Sequence, residues 1–173
     1  MAAAADYLVD EGIADPTRII AEGWSYGGYL TLMALSRRPD RWAGGICGVG
    51  IGDMVAQHAE AASFIGQMFT RVFQGTPDEV PERYVEASPI THAERVAAPL
   101  LVIHGRGDIR CPEGQMQRYL DRMAALGKDV TVEWFDAGHL GGIANPATGI
   151  QHTGLMLAFA DRITSERAPL PIG

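Results

Sequence analysis

The stretch that decides the fold is RIIAEGWSYGG, residues 18–28 of this 173-residue chain. Its first part, Arg18–Ala21, is a short apolar run that stops at Gly23, as a buried strand does. A helical pattern then covers Tyr26–Arg38 and ends before a proline. The turn between them is a G-x-S-x-G motif in the strand–turn–helix context that this motif requires. We therefore predict that Ser25 is a nucleophile at the tip of a sharp turn.

The chemistry of such a turn depends on its backbone. A serine at the tip adopts strained backbone angles, and neighbouring side chains must be as small as glycine to allow close packing. The turn lifts the hydroxyl clear of the sheet and places it at a helix N-terminus, where backbone N–H groups can stabilise an oxyanion. The alternative interpretation is a glycine-rich turn in which Ser25 only caps the helix.

The remainder of the chain alternates between strand and helix patterns. Residues 53–86 are different, because they carry apolar side chains at helical intervals followed by a proline-bounded stretch, and they predict a lid-like helical segment. The alternation predicts an α/β fold with a mostly parallel sheet of about four strands flanked by helices, and ligands are expected beyond the carboxyl ends of those strands. The other predicted strands are 45–49, 99–105 and 130–135, and the other predicted helices are 2–12, 113–126 and 156–163.

A base and an acid for Ser25 follow two of these strands. Asp108 lies in the loop after strand 99–105, and His139 lies in the loop after strand 130–135. In a parallel sheet these loops emerge at the same edge as Ser25, and the order Ser-Asp-His is the one expected of α/β-hydrolases. We predict that His139 accepts the serine proton and that Asp108 orients the imidazole.

Other acidic and imidazole side chains leave alternatives open. Asp136 could serve as the acid, although it precedes His139 by only three residues. Asp53 could be an alternative acid or a helix cap, and a carboxylate at Glu22 in a strand is costly unless it is hydrogen-bonded. His104, at the end of its strand, is expected to be a packed core residue. The remaining histidines, His58, His92 and His152, are expected to be solvated or capping.

Composition excludes several classes of function. Fourteen Lys and Arg against 21 Asp and Glu give a net charge of −7 without a basic cluster, which argues against nucleic-acid and membrane partners. The Gly48–Gly52 run lacks the third glycine of a dinucleotide loop, and no metal-ligand motif is present, so no metal or cofactor is expected. Residues 1–10 do not resemble a secretion signal, and two cysteines do not make a disulfide scaffold. We expect a cytoplasmic protein.

Three stretches carry a resemblance to a known family. DPTRIIAEGWSYGGYLTLMAL (15–35), SPITHAERVAAPLLVIHGRGDIRCP (88–112) and AALGKDVTVEWFDAGH (124–139) resemble the nucleophile, acid and histidine regions of prolyl oligopeptidase family serine peptidases. The resemblance runs from about Asp6 to His152. It implies an α/β-hydrolase fold, a triad of Ser25, Asp108 and His139, and one oxyanion N–H from Tyr26.

The resemblance also implies that residues 1–173 are a single truncated catalytic domain, about the last four strands of an eight-stranded sheet. The strand at Arg18–Ala21 would then form an exposed edge, and we expect a homo-oligomer, most simply a two-fold dimer, to cover it. The substrate would be a peptide or a small carboxylic ester, and a non-catalytic binding or assembly module is the other alternative. Residues expected to contact the substrate are Trp24, Phe64, Met68 and Phe69.

Overall fold

The structure, a computed structural model, describes residues 1–165; residues 166–173 of the predicted domain lie outside that range. Four parallel strands form one sheet in the order β1-β2-β3-β4, which confirms the predicted α/β class. The two central strands are buried along their whole length, as is typical of parallel sheets covered on both faces. The strands are β1 (Ile20–Trp24), β2 (Gly44–Gly48), β3 (Leu100–Gly105) and β4 (Val130–Phe135).

Helices cover both faces of the sheet and the carboxyl ends of its strands. On one face, Leu32 and Leu35 of α2 and Met116 of α6 pack against Ala21 and Val102 of the sheet. On the other face, α8 packs against the central strands. The helices are α1 (Ala2–Asp10), α2 (Tyr26–Arg37), α3 (Met54–Glu60), α4 (Ser63–Phe73), α5 (Pro81–Ala87), α6 (Glu113–Ala125), α7 (Gly141–Ala144) and α8 (Pro146–Ser165), with a 3-10 helix at Pro89–Arg95.

The segment predicted as lid-like folds as α3, α4 and α5 between β2 and β3. Apolar side chains from these helices form a third cluster with the loops that leave the sheet, and Tyr84 and Met54 are its most buried members. Asp53 caps α3, because its carboxylate accepts hydrogen bonds from the N–H groups of Val55 at 2.9 Å and Ala56 at 3.1 Å. Of the two alternatives for Asp53, the structure therefore supports the cap.

Two predicted boundaries were wrong. β1 covers Ile20–Trp24 instead of Arg18–Ala21, and Glu22 within it is exposed, beside an open cavity that Trp24 also lines. α8 begins at Pro146, ten residues before the predicted start at 156. Asn145 accounts for the early start, because its side-chain oxygen accepts hydrogen bonds from the first turn of that helix. No helix within residues 1–165 is long and apolar enough to cross a membrane.

Within residues 1–165, β1 has a neighbouring strand on one side only. Toward β2, the Ala43 N–H donates to the Ile19 carbonyl at 2.7 Å and the Ser25 N–H donates to the Gly48 carbonyl at 2.8 Å. Because alternate residues of a strand face opposite neighbours, the N–H group of Glu22 points to the free side. The free side is a template for pairing with another strand.

We propose that, in a protein made of residues 1–173, a second copy of the chain pairs there. Light scattering should give twice the 18.6 kDa mass of one chain. Glu22→Pro should yield monomers, because proline removes an N–H group on the free side and leaves the β1–β2 hydrogen bonds intact. Glu22→Gln, which keeps the N–H group, should remain dimeric. A wild-type protein with the mass of one chain would contradict this expectation.

Candidate active site

Ser25 lies at the junction of β1 and α2 with φ 60° and ψ −118°, a region that residues other than glycine rarely occupy. Such a conformation costs roughly 1–3 kcal/mol and persists only where the surroundings enforce it. Here the Ser25 N–H donates to the carbonyl of Gly48 in β2 at 2.8 Å. The turn therefore places the Ser25 side chain beyond the carboxyl end of β1 and at the N-terminus of α2.

Two glycines make this turn sterically possible. A Cβ atom on Gly23 would lie 2.3 Å from the carbonyl carbon of Gly27, and one on Gly28 would lie 2.7 Å from the carbonyl oxygen of Gly48. A Cβ atom on Gly27 would meet no heavy atom within 4 Å. Within the motif, position 23 must therefore be glycine to avoid a clash with the backbone. Position 27 has room for a larger side chain.

The structure joins Ser25, His139 and Asp108 by hydrogen bonds. Ser25 Oγ lies 2.8 Å from His139 Nε2, and His139 Nδ1 lies 2.7 Å from Asp108 Oδ2. The second carboxylate oxygen of Asp108 accepts from the backbone N–H groups of Arg110 at 2.8 Å and Cys111 at 2.9 Å. With Nδ1–H donating to the carboxylate, the Nε2 lone pair is free to accept the serine proton. The three residues predicted from sequence thus form one continuous chain of hydrogen bonds.

Asp108 is buried, with 4% of its surface exposed. Burial alone would raise the pKa of its carboxyl, but hydrogen bonds from His139 and from the N–H groups of Cys111 and Arg110 together outweigh burial and hold that pKa below its ordinary value. Asp108 is therefore ionised at neutral pH. A fixed negative charge behind Nδ1 stabilises the imidazolium that forms when His139 accepts a proton.

The alternative residues lie elsewhere. Asp136 is exposed, and no hydrogen bond joins it to His139 in the described part of the chain. His104 is fully buried and donates from Nε2 to the carbonyl of Cys111 at 2.8 Å, and burial lowers its pKa.

Of the remaining histidines, His92 fits the capping alternative, because its Nε2 lies 2.9 Å from the Glu86 carbonyl in the last turn of α5. His152, in contrast, is only 3% exposed and is not solvated. No local pattern indicated the burial of His152, because it packs against Trp24 and Phe135, which are distant in the chain.

A cavity of about 210 Å³ opens beside Ser25 and His139. Two of the residues predicted to contact substrate, Met68 and Phe69 of α4, line it. Trp24 and Phe64 do not line this cavity. Trp24 lies on the face of the sheet that α8 covers, where it borders a separate cavity with Gly142 and His152. Phe64 is 56% exposed. The remaining lining residues of the Ser25 cavity are Tyr26, Ile51, Gln57, Ile65, Arg110 and Cys111.

Sequence reasoning missed the residue that holds one wall of this cavity. Gln115 of α6 is fully buried, and its side chain accepts from the Gly52 N–H at 2.6 Å and donates to the Gly50 carbonyl at 3.0 Å. These two bonds fix the turn that carries Ile51 into the cavity. No local pattern could reveal them, because the partners are more than sixty residues apart.

Tyr26 occupies the position expected of an oxyanion donor. It is the first residue of α2, so its backbone N–H belongs to the first turn, whose N–H groups have no acceptor within the helix. Its phenol ring is 56% exposed and packs beside Tyr29, with ring centroids 5.2 Å apart. The backbone of Tyr26 is therefore adjacent to the Ser25 hydroxyl, while its side chain borders the cavity.

The sequence profile of the prolyl oligopeptidase family matches residues 1–167 of this chain. The chain belongs to the prolyl oligopeptidase family. Dipeptidyl aminopeptidase BIII of Pseudoxanthomonas mexicana is 30% identical over 175 residues, which is 98% of this chain and 25% of that protein. The acylamino-acid-releasing enzyme of Arabidopsis thaliana is 30% identical over 138 residues, 75% of this chain and 18% of that protein.

Two solved peptidase structures superpose closely on the chain. The uncomplexed acylaminoacyl peptidase of Pyrococcus horikoshii gives a TM-score of 0.82 at 33% identity and covers 91% of this chain. The puromycin-hydrolyzing peptidase of Mycobacterium tuberculosis gives 0.85 at 29% identity and covers 93%. The matched region is 26% and 24% of those two chains. The chain thus spans about a fifth to a quarter of the length of these relatives.

The glycines of the turn supply a matched pair of substitutions. Gly23→Ala should destabilise the protein by several kcal/mol, because the new methyl group overlaps the backbone of Gly27. Gly27→Ala should be neutral or stabilise α2 by up to about 1 kcal/mol, because the site is open and alanine favours helix. Urea unfolding of the two variants measures the difference. Equal stabilities would contradict the steric role of Gly23.

The low pKa of Asp108 makes its stabilising contribution depend on pH. This contribution is complete above the unfolded pKa of about 3.9 and is lost as pH falls through the lower folded pKa. Asp108→Asn should therefore lower the free energy of unfolding by roughly 1–3 kcal/mol at pH 7 and about equally at pH 5. The difference from wild type should shrink below about pH 4. Urea titrations across this range would contradict the account if the difference grew on acidification.

Proposed function

We propose that this chain is the catalytic part of a serine peptidase that cleaves substrates through an acyl-enzyme on Ser25. The observation that carries the proposal is the hydrogen-bonded chain from Ser25 Oγ through His139 to Asp108, at 2.8 and 2.7 Å. Membership of the prolyl oligopeptidase family supports the same chemistry, since dipeptidyl aminopeptidase and acylaminoacyl peptidase are among the relatives.

The proposed reaction begins when Ser25 Oγ attacks the carbonyl carbon of the substrate and its proton passes to His139 Nε2. The resulting oxyanion accepts a hydrogen bond from the Tyr26 N–H, and the Asp108 carboxylate stabilises the imidazolium. His139 then gives the proton to the departing amine, which leaves the acyl group on Ser25. A water molecule, deprotonated by the same imidazole, releases the acid and restores the serine.

The cavity suggests which acyl group the site accepts. Its walls at Ile51, Ile65, Met68 and Phe69 are apolar, so an apolar side chain next to the scissile bond would be desolvated there. Among the described lining residues no carboxylate is present, and Arg110 is the one charged side chain. A free amino terminus needs a carboxylate partner when it is desolvated, whereas an acylated terminus needs none. We therefore propose N-acylated aminoacyl substrates over dipeptidyl ones.

Three chromogenic substrates test this proposal. We expect turnover of N-acetyl-phenylalanyl p-nitroanilide, slower turnover of glycyl-phenylalanyl p-nitroanilide with its free amine, and turnover of a p-nitrophenyl ester of N-acetyl-phenylalanine. Ser25→Ala and His139→Gln should each reduce kcat by roughly 10⁴–10⁶, because both residues act as one unit. Circular dichroism of both variants would establish that they are folded.

The outcomes separate the alternatives. Cleavage of the ester alone would contradict a peptidase and favour a small-substrate carboxylesterase, because a phenolate leaves more easily than an anilide. A folded wild type that cleaves none of the three would contradict catalysis and leave a binding or assembly module. Faster cleavage of the free-amine anilide would contradict the preference for acylated substrates.

We also propose a reducing compartment such as the cytoplasm as the place of action. Both cysteines, Cys47 and Cys111, are buried free thiols. Burial raises the pKa of the Cys47 thiol to about 12, so it stays protonated at neutral pH. A chain that keeps its thiols free suits a reducing environment.

A further inference from the structure

The Cys111 thiol is a reactive group that the proposed mechanism does not use. It is 4% exposed and lines the same cavity as Ser25 and His139. Its own backbone N–H holds Asp108 at 2.9 Å, so the sulfur is carried by the turn that fixes the acid. Burial and the neighbouring Asp108 charge raise the pKa of this thiol, which is therefore protonated when nothing binds it.

Three kinds of metal-binding donor converge at this point. A carboxylate oxygen of Asp108, the sulfur of Cys111 and a ring nitrogen of His139 all lie within 4.8 Å of one another. Oxygen, thiolate sulfur and imidazole nitrogen are the donors that Zn²⁺ takes in proteins. Tetrahedral Zn²⁺ with bonds of about 2.0–2.3 Å holds its ligands roughly 3.3–3.8 Å apart. The widest separation would need to shorten by about 1 Å, and the Asp108 oxygen and the His139 nitrogen, now 2.7 Å apart, would need to separate by roughly 0.6 Å to admit the ion between them.

The charges at this place also match a divalent ion. Asp108 contributes one negative charge, and Cys111 contributes a second when its proton is released to solvent on metal binding. Two anionic donors and a neutral imidazole around a divalent cation leave no net charge to be buried, which lowers the cost of desolvation. Thiolate sulfur favours Zn²⁺ and Co²⁺ over Mg²⁺ and Ca²⁺. Two of the three donors, Cys111 and His139, line the cavity beside Ser25, through which an ion could enter.

We propose that Asp108, Cys111 and His139 form an inhibitory binding site for Zn²⁺. A metal ion bound there engages the imidazole and the carboxylate, so neither can serve the proton transfer from Ser25. The loss of turnover rests on the proposed function, but the binding itself does not. Metal binding at this place would therefore couple the activity of the chain to the availability of free zinc.

Cobalt is the probe that reports on sulfur ligation. Titration of the reduced protein with Co²⁺ should produce a near-ultraviolet thiolate-to-cobalt absorption band that saturates at one ion per chain, and Zn²⁺ should displace it. Cys111→Ser should abolish the band, and His139→Gln should weaken Co²⁺ binding at least tenfold. Cys47→Ala, which removes the other thiol, should leave the band unchanged. With the acetylated anilide, Zn²⁺ should inhibit wild type, and a chelator should restore turnover.

The cobalt titrations decide whether the metal site exists. Absence of the band from wild type, or its persistence in Cys111→Ser, would overturn the metal site whether or not the protein is catalytic. Cobalt binding of equal strength in wild type and His139→Gln would overturn it as well. A normal band in a protein that hydrolyses none of the substrates would contradict the proposed function and leave the site intact.

Discussion

The hydrogen bond from the Ser25 N–H to the Gly48 carbonyl is the interaction on which this structure depends. It ties the strained turn to β2 at 2.8 Å, at the point where the chain passes from β1 to α2 with a positive φ at Ser25. The strain costs roughly 1–3 kcal/mol. Burial of Leu32 and Leu35, which anchor α2 on the sheet, contributes roughly 1.5–3 kcal/mol for each side chain and outweighs that cost. The conformation of Ser25 is thus enforced by packing that lies away from it.

The parallel sheet accounts for the meeting of three residues that are far apart in sequence. Ser25 follows β1, Asp108 follows β3 and His139 follows β4, and parallel strands deliver all three loops to one edge. His139 and Ser25 are 114 residues apart along the chain and 2.8 Å apart in space. The same geometry places the Cys111 sulfur within 4.8 Å of a ring nitrogen of His139, because Cys111 is three residues beyond Asp108 and its N–H donates to the Asp108 carboxylate. The turn that holds the Asp108 carboxylate therefore also carries the Cys111 thiol.

Much of this arrangement was predictable because it depends on local sequence. The glycine pattern around Ser25 needs one particular turn, and β3 and β4 have clear strand patterns, so their following loops could be assigned to one edge. The failures arose where contacts between distant residues decide the outcome. Trp24 neighbours Ser25 in sequence but points to the opposite face, where it packs with His152. Gln115, which fixes the turn carrying Ile51, gives no local signal at all.

The proposed catalysis requires that Ser25 be a nucleophile organised by His139 and Asp108. Intact-mass measurement after incubation with a fluorophosphonate tests it most directly, because the reagent phosphonylates a serine activated by a base and needs no knowledge of the substrate. We expect one adduct per chain, which peptide mapping should locate on Ser25. The adduct should be absent in Ser25→Ala and should form far more slowly in His139→Gln. A folded wild type that acquires no adduct, or labelling that persists in Ser25→Ala, would contradict this role of Ser25.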